Sequence, residues 1–89
     1  MLTKKEKDKI IEKYKVHEKD TGSAEVQIAI LSEEVKRLTG HLKDHKKDFS
    51  SRRGLLRKVG QRRRLMRYLE KENLKSFEDL AAKLKLKKK

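Results

Sequence analysis

Apolar residues recur along the middle of the chain with a helical beat. Ala24, Ile28, Leu31, Val35, Leu38 and Leu42 are separated by four, three, four, three and four positions. That spacing places all six on one stripe of a helix running from about residue 24 to about 45, a seam suited to packing on another helix at a shallow angle. Leu55, Val59, Met66 and Leu69 fall on one face of a second long helix that ends near Glu72. The six residues between them, KKDFSS (46–51), leave room only for a reversal. An antiparallel helical hairpin is therefore expected.

Shorter elements flank this hairpin. Thr3 and Glu6 have capping-box spacing, and Ile10, Ile11 and Tyr14 supply one small apolar patch, so a first helix over about 4–15 is expected to dock loosely. VHEKDTGS (16–23) reads as a polar bend, with Ser23 as the N-cap of the next helix and Glu25 favourably placed in its first turn. Asp48, Ser50 and Ser51 compete to cap the third helix, which Asn73 ends. Ser76 and Asp79 again have capping-box-like spacing, and Phe77, Leu80, Ala81 and Leu84 give a fourth helix one apolar face that closes the bundle. The tail KLKLKKK reads as a solvated charge run. The expectation is an all-α chain: a single four-helix domain over residues 1–89, with a long hairpin, a closing fourth helix and a loosely docked first.

Composition sharpens this picture. Of 89 residues, 46% are charged and 34% hydrophobic, a balance that alone leans toward disorder and that only the sustained helical period offsets. The formal net charge of +13 points to a polyanionic partner. A membrane surface is the weaker option, because the stripes are aliphatic, can pair with each other and carry no tryptophan. No stretch approaches the roughly 20 apolar residues of a membrane span, and MLTKKEKDK has no apolar run after its charges, so neither a span nor a secretory signal is expected. A cytosolic or nucleoid-like setting follows. With no cysteine there is no disulfide framework and no thiolate metal site.

Opposite the apolar face of the third helix lies a second stripe: Arg53, Arg57, Gly60, Arg64, Tyr68 and Lys71. Cations at i, i+4 repel each other unless a partner offsets them, and this face has almost no acidic members. Cations neutralise phosphates, Tyr68 offers a ring and a hydroxyl, and Gly60, lacking Cβ, admits close approach, so the stripe suits a nucleic acid better than a merely solvated surface. His41 lies off the seam and is expected to be exposed. Asp48, amid positive charge, would avoid phosphate and accept from a guanine amino group or a ribose hydroxyl in a shallow RNA minor groove. Thr21 and Gly22, before a helix amino terminus, either only connect two helices or contact phosphate and sugar. His41 and His45 stand at i, i+4, but no third ligand is near in sequence, so no metal is expected. No cofactor and no catalytic arrangement are expected either: there is no phosphate-cradling glycine loop and no nucleophile beside a base.

At DTGS (20–23), HKKD (45–48), SRRGLL (51–56) and RRRL (62–65) the chain resembles the family of the fifteenth protein of the bacterial small ribosomal subunit, and the likeness covers essentially its whole length. The resemblance implies a four-helix protein that binds 16S ribosomal RNA directly, at a three-way helical junction of the central domain. It further implies nucleation of platform assembly beside neighbouring small-subunit proteins, an intersubunit bridge to 23S ribosomal RNA and, in some members, repression of the protein's own messenger RNA. The family's junction-contacting positions match Thr21, Gly22, Gln27, Arg64 and Tyr68, and its minor-groove positions match His41, Asp48 and Ser51. Some positions depart from the family pattern. Ala24 stands where many members have proline, Phe49 and Ser50 where histidines are common, and Glu34 where polar or basic residues are usual; Lys71 keeps a cation without the bidentate geometry of arginine. Two other readings compete: a nonspecific DNA-compacting protein, separated by preference for folded RNA over duplex DNA, and a self-associating coiled coil. The latter is disfavoured because the seam has partners within the chain, so a monomer is expected.

Overall fold

A computed structural model describes residues 2–15 and 22–85, and within them the chain forms four α-helices: α1 (Lys4–Tyr14), α2 (Ala24–Asp44), α3 (Phe49–Glu72) and α4 (Leu74–Leu84). There is no strand among the described residues. Most of the bend expected at 16–23, including Thr21, lies outside them, as do the last four residues of the basic tail.

The helix starts follow from local chemistry. Thr3 and Glu6 close a capping box, Glu6 N–H donating to Thr3 Oγ1 at 3.2 Å and Thr3 N–H to Glu6 Oε1 at 3.0 Å. Ser23 Oγ accepts from Val26 N–H at 3.2 Å, and Asp48 wins the competition for α3, accepting from Ser51 N–H at 3.1 Å. The fourth helix departs from expectation. Asn73 ends α3 and also caps α4, its Oδ1 accepting from Ser76 N–H at 3.1 Å. Ser76 therefore sits inside the first turn instead of capping it, and its hydroxyl donates to Glu25 Oε2 on α2 at 2.7 Å. One residue serving both ends leaves no linker between α3 and α4 whose backbone groups would need partners.

The hairpin of α2 and α3 forms as expected, and α2 packs on all three other helices. Ile28, Leu69, Phe77 and Leu80 make the core cluster, with Tyr14, Leu65 and Met66 against it. The α2 seam is buried at Ile28 and Leu38, while its other members are half-buried. Val26 and Ala29, off the seam, are buried too, and Ala29 sits where α1 and α4 reach that side of the helix. Of the α3 stripe only Leu69 is buried; Leu55, Val59 and Met66 are half-buried. The molecule measures 39 × 30 × 17 Å, too thin along its shortest axis to enclose many side chains fully.

The hairpin interface is also partly polar. Glu34, 8% exposed, accepts from Lys58 Nζ at 3.2 Å, and Arg62 Nη1 donates to Ser32 Oγ at 3.3 Å. Burial holds the Arg62 guanidinium below its usual pKa. Lys58 and Arg62 stand one turn apart on the same side as Leu55 and Leu69, so they face α2 and not solvent. By contrast α1 docks lightly, as its small patch predicts. None of its own residues is buried; Tyr14 packs against the core cluster, Glu6 pairs with Arg37, and Leu2, just before the helix, is buried.

Candidate nucleic-acid interface

At the hairpin tip the structure brings His41, Asp48 and Ser51 together. Asp48 Oδ2 lies 2.7 Å from His41 Nε2 and accepts from Ser51 Oγ at 2.7 Å, while Oδ1 accepts from Ser51 N–H. A carboxylate has only lone pairs to offer, so His41 Nε2 is the donor. These bonds, that of His41 foremost and then those of the Ser51 hydroxyl and amide, hold the Asp48 carboxyl at about 2 against an ordinary value of 3.8. Asp48 is thus ionised at neutral pH, with three of its roughly four acceptor sites occupied and one on Oδ1 left over. His41 keeps its imidazole half-exposed, and the His45 ring stacks on it at 4.4 Å with its Nδ1 3.1 Å from the His41 carbonyl oxygen. Parallel stacked rings direct their in-plane lone pairs side by side, so they do not converge on one ion. Among the described residues no cluster of metal-ligating side chains is present.

The second group lies toward the other end of α2. Gln27, Arg64 and Tyr68 line an open groove of about 540 Å³ between α2 and α3, with Ile30, Leu31 and Leu65 as its apolar walls. Gln27 Nε2 donates to the carbonyl of Gly22 at 2.6 Å, which fixes the approach to the helix amino terminus. Tyr68 is 57% exposed and Arg64 is exposed as well. Thr21, expected beside them, lies outside the described residues. Gln27 and His41 are fourteen positions apart on α2, which is about 40° around the axis and roughly 20 Å along it. The tip and the groove therefore face the same side.

Between and beyond these two stations the remaining cations of α3 are on the surface. Arg53, Arg57 and Lys71 are exposed, Arg53 Nη2 reaching Ser50 Oγ at 3.4 Å. A Cβ at Gly60 would meet only Arg64 Nη1, at 3.8 Å, so the helix has room for a side chain there. The free protein does not need that glycine for its own packing. The apolar walls of the groove do not emerge from the sequence pattern, although Ile30 stands off the seam without a role. An unassigned aliphatic residue beside the basic face is the signal that could have found them.

The arrangement presents, on one side, an ionised carboxylate flanked by an imidazole and a hydroxyl and, about 20 Å away, a cation and a phenol over an aliphatic groove. These are groups that grip a phosphate backbone and read base or sugar edges in RNA. Residues 7–87 match the family described as Ribosomal protein S15. The chain is 58% identical over 87 residues to the small ribosomal subunit protein uS15 of Carboxydothermus hydrogenoformans, covering 98% of each chain. It is 56% identical over 88 residues to that of Caldanaerobacter subterraneus subsp. tengcongensis, covering 99% of this chain and all of the relative. Over 88 residues it is 52% identical to that of Borrelia hermsii, with the same coverage. The match takes in residues of all four helices, both ends of the hairpin and the groove, and the chain belongs to the ribosomal protein S15 family.

Proposed function

We propose that this structural, non-enzymatic protein of the small ribosomal subunit binds 16S ribosomal RNA directly at a three-way helical junction of the central domain. The observation that carries the reading is that the tip trio and the Gln27–Arg64–Tyr68 groove share one side of α2, about 20 Å apart. Two clusters of different chemistry at that separation suit two differently shaped features of a folded RNA, a minor groove and a junction. His41, Asp48 and Ser51 face a minor groove, where the remaining Asp48 lone pair accepts from an exocyclic amine. Thr21, Gly22, Gln27, Arg64 and Tyr68 take the junction, and Arg53, Arg57 and Lys71 supply phosphate neutralisation. The wider roles rest on family membership: nucleating the platform, bridging to 23S ribosomal RNA and, in some members, binding their own messenger RNA. The same membership makes the protein ribosome-bound in the cytoplasm, beside other small-subunit proteins.

The test is a salt series of binding to a three-way-junction RNA and to an RNA duplex of equal length. Pure phosphate attraction weakens both in parallel, with log K falling by about 0.7 to 0.9 per contact for each unit of log salt. The junction is expected to keep a large advantage as salt rises. If both curves fall together, shape recognition is absent and the protein is a generic basic binder.

A further inference from the structure

On the far side of α2 from the RNA-facing groove lies a second depression of about 510 Å³, enclosed by α1, α2 and α4. Lys36, on its wall, is nine positions from Gln27, which is about half a turn around the helix axis. The floor is mostly aliphatic, with Ile10 from α1, Ala29 and Val35 from α2 and Leu84 from α4; the Arg62–Ser32 pair between α3 and α2 also lines it, already hydrogen-bonded to each other. The rim is cationic, with Lys9 and Lys13 on α1, Lys36 on α2, Lys83 on α4 and Lys85 just after it. Two of these ammonium groups, from Lys13 and Lys83, flank the ring of Tyr14 at 5.5 and 5.8 Å. Glu33 is the rim's acidic member, and it is already paired with Arg37 at 3.6 Å. Lys9 and Lys36 make no ion pair among the described residues.

We propose that this groove docks an acidic protein segment in amphipathic-helical form, with aliphatic side chains on the floor and carboxylates over the lysine rim. Charge complementarity selects an anionic partner, since the rim's single carboxylate is spent within the chain. The floor then selects among anions. A phosphate backbone would leave four aliphatic side chains uncovered, whereas a peptide helix with apolar residues at i, i+3/i+4 and i+7 fills such a floor while holding its charges at the edge. The α1 wall is 11 residues long, about 16 Å, which matches roughly three turns of a bound helix. Lysines suit such a rim, being flexible point charges on apolar stems that lie along the floor while the ammonium stays at the edge. The site is independent of the RNA reading, because it uses none of those residues and opens the other way.

The test uses the full chain and a fluorescent synthetic peptide of about three helical turns, leucine on one face and glutamate on the other. Controls are a peptide of the same composition with its leucines scattered round the helix, and a single-stranded oligonucleotide of equal charge. The amphipathic peptide is expected to bind at least about tenfold more tightly than either control, a difference of about 1.4 kcal/mol. Amide shifts should centre on Ile10, Val35 and Leu84, and binding should persist with junction RNA saturating the opposite face. Replacing Lys9→Glu together with Lys36→Glu, both exposed and mid-helix, should weaken the peptide about tenfold with unchanged helical circular dichroism. Equal binding of the scattered peptide, preference for the oligonucleotide, or shifts confined to Gln27, Arg64 and Tyr68 would each overturn the proposal. The shift map of the parent protein decides the matter even if the double variant fails to fold.

Discussion

His41 Nε2 on α2 lies 2.7 Å from Oδ2 of Asp48, the residue that caps α3, so a side-chain bond ties the two arms of the hairpin at their tip. Because this bond and those from Ser51 depress the Asp48 carboxyl from 3.8 to about 2, they stabilise the folded state fully above the ordinary carboxylate range. That contribution declines as pH falls from about 4 and is gone below about 2. Asp48→Asn keeps a competent helix cap but loses the charge. Its melting temperature should lie below the parent's at neutral pH, with the gap closing between pH 4 and 2. Melts followed by circular dichroism across that range check this; a gap that does not change with pH would mean the charge is not what holds the tip.

Tyr68 is 57% exposed on the groove that Gln27 and Arg64 share, so the fold does not depend on its ring. Tyr68→Ala should leave the thermal transition nearly unchanged and weaken junction RNA binding. A lost base stack is worth about 1 to 3 kcal/mol, or roughly 5- to 150-fold in affinity. Tyr68→Phe separates ring from hydroxyl: full retention of affinity would assign the contact to stacking alone. Unfolding of the alanine variant would contradict its surface placement.

Leu38 is buried at 7% exposure on the side of α2 that meets α3. Leu38→Asp puts an unpaired carboxylate there, at a cost of several kcal/mol, against a total stability of about 5 to 15 kcal/mol for a domain of ordinary stability. Loss of the cooperative thermal transition is expected. A variant that melts like the parent would remove Leu38 from the core.

What the sequence alone made legible was whatever depends on short-range spacing. The four–three period of the α2 seam and the brevity of residues 46–51 were enough for the hairpin, and the same period put His41, Arg64 and Tyr68 off the core. Features set by distant partners were not readable. Ala29, off the seam, is buried where α1 and α4 reach that side of α2. Helical spacing puts Lys58 and Arg62 on the apolar side of α3, but not what they meet there; their partners Glu34 and Ser32 are 24 and 30 positions away. Nor could spacing reveal that Asn73 serves two helices, because that depends on the backbone angle at which α3 stops.

The Lys58–Glu34 pair makes a prediction of its own. The Glu34 side chain is 10% exposed and that of Lys58 26%, so the bridge is mostly shielded from solvent. Lys58→Met leaves a carboxylate under α3 without its counter-charge, which should destabilise by about 1 to 3 kcal/mol after discounting for the exposure of the lysine. Replacing both, Glu34→Leu with Lys58→Met, removes the desolvated charges together and should restore most of that loss. Urea unfolding of the parent, each single variant and the double variant measures the coupling; additive effects of the two substitutions would show that the residues act separately.

Asn73 and Ser76 compete for one role, and substitution tells them apart. Asn73 Oδ1 accepts from Ser76 N–H, so Asn73→Ala removes the cap of α4 at a cost of about 1 kcal/mol. Ser76→Ala leaves that backbone bond intact and removes only the hydroxyl bond to Glu25, 51 positions away on α2. Since the bond is part-buried and its acceptor is a carboxylate, the loss should be somewhat larger, about 1.5 to 3 kcal/mol. The two effects also differ in kind. Loss of the cap should speed amide exchange in the first turn of α4, whereas loss of the bond to Glu25 should loosen α4 from α2 and speed exchange throughout α4. Hydrogen exchange on the two variants distinguishes these patterns, and a first-turn effect from Ser76→Ala alone would return the capping role to Ser76.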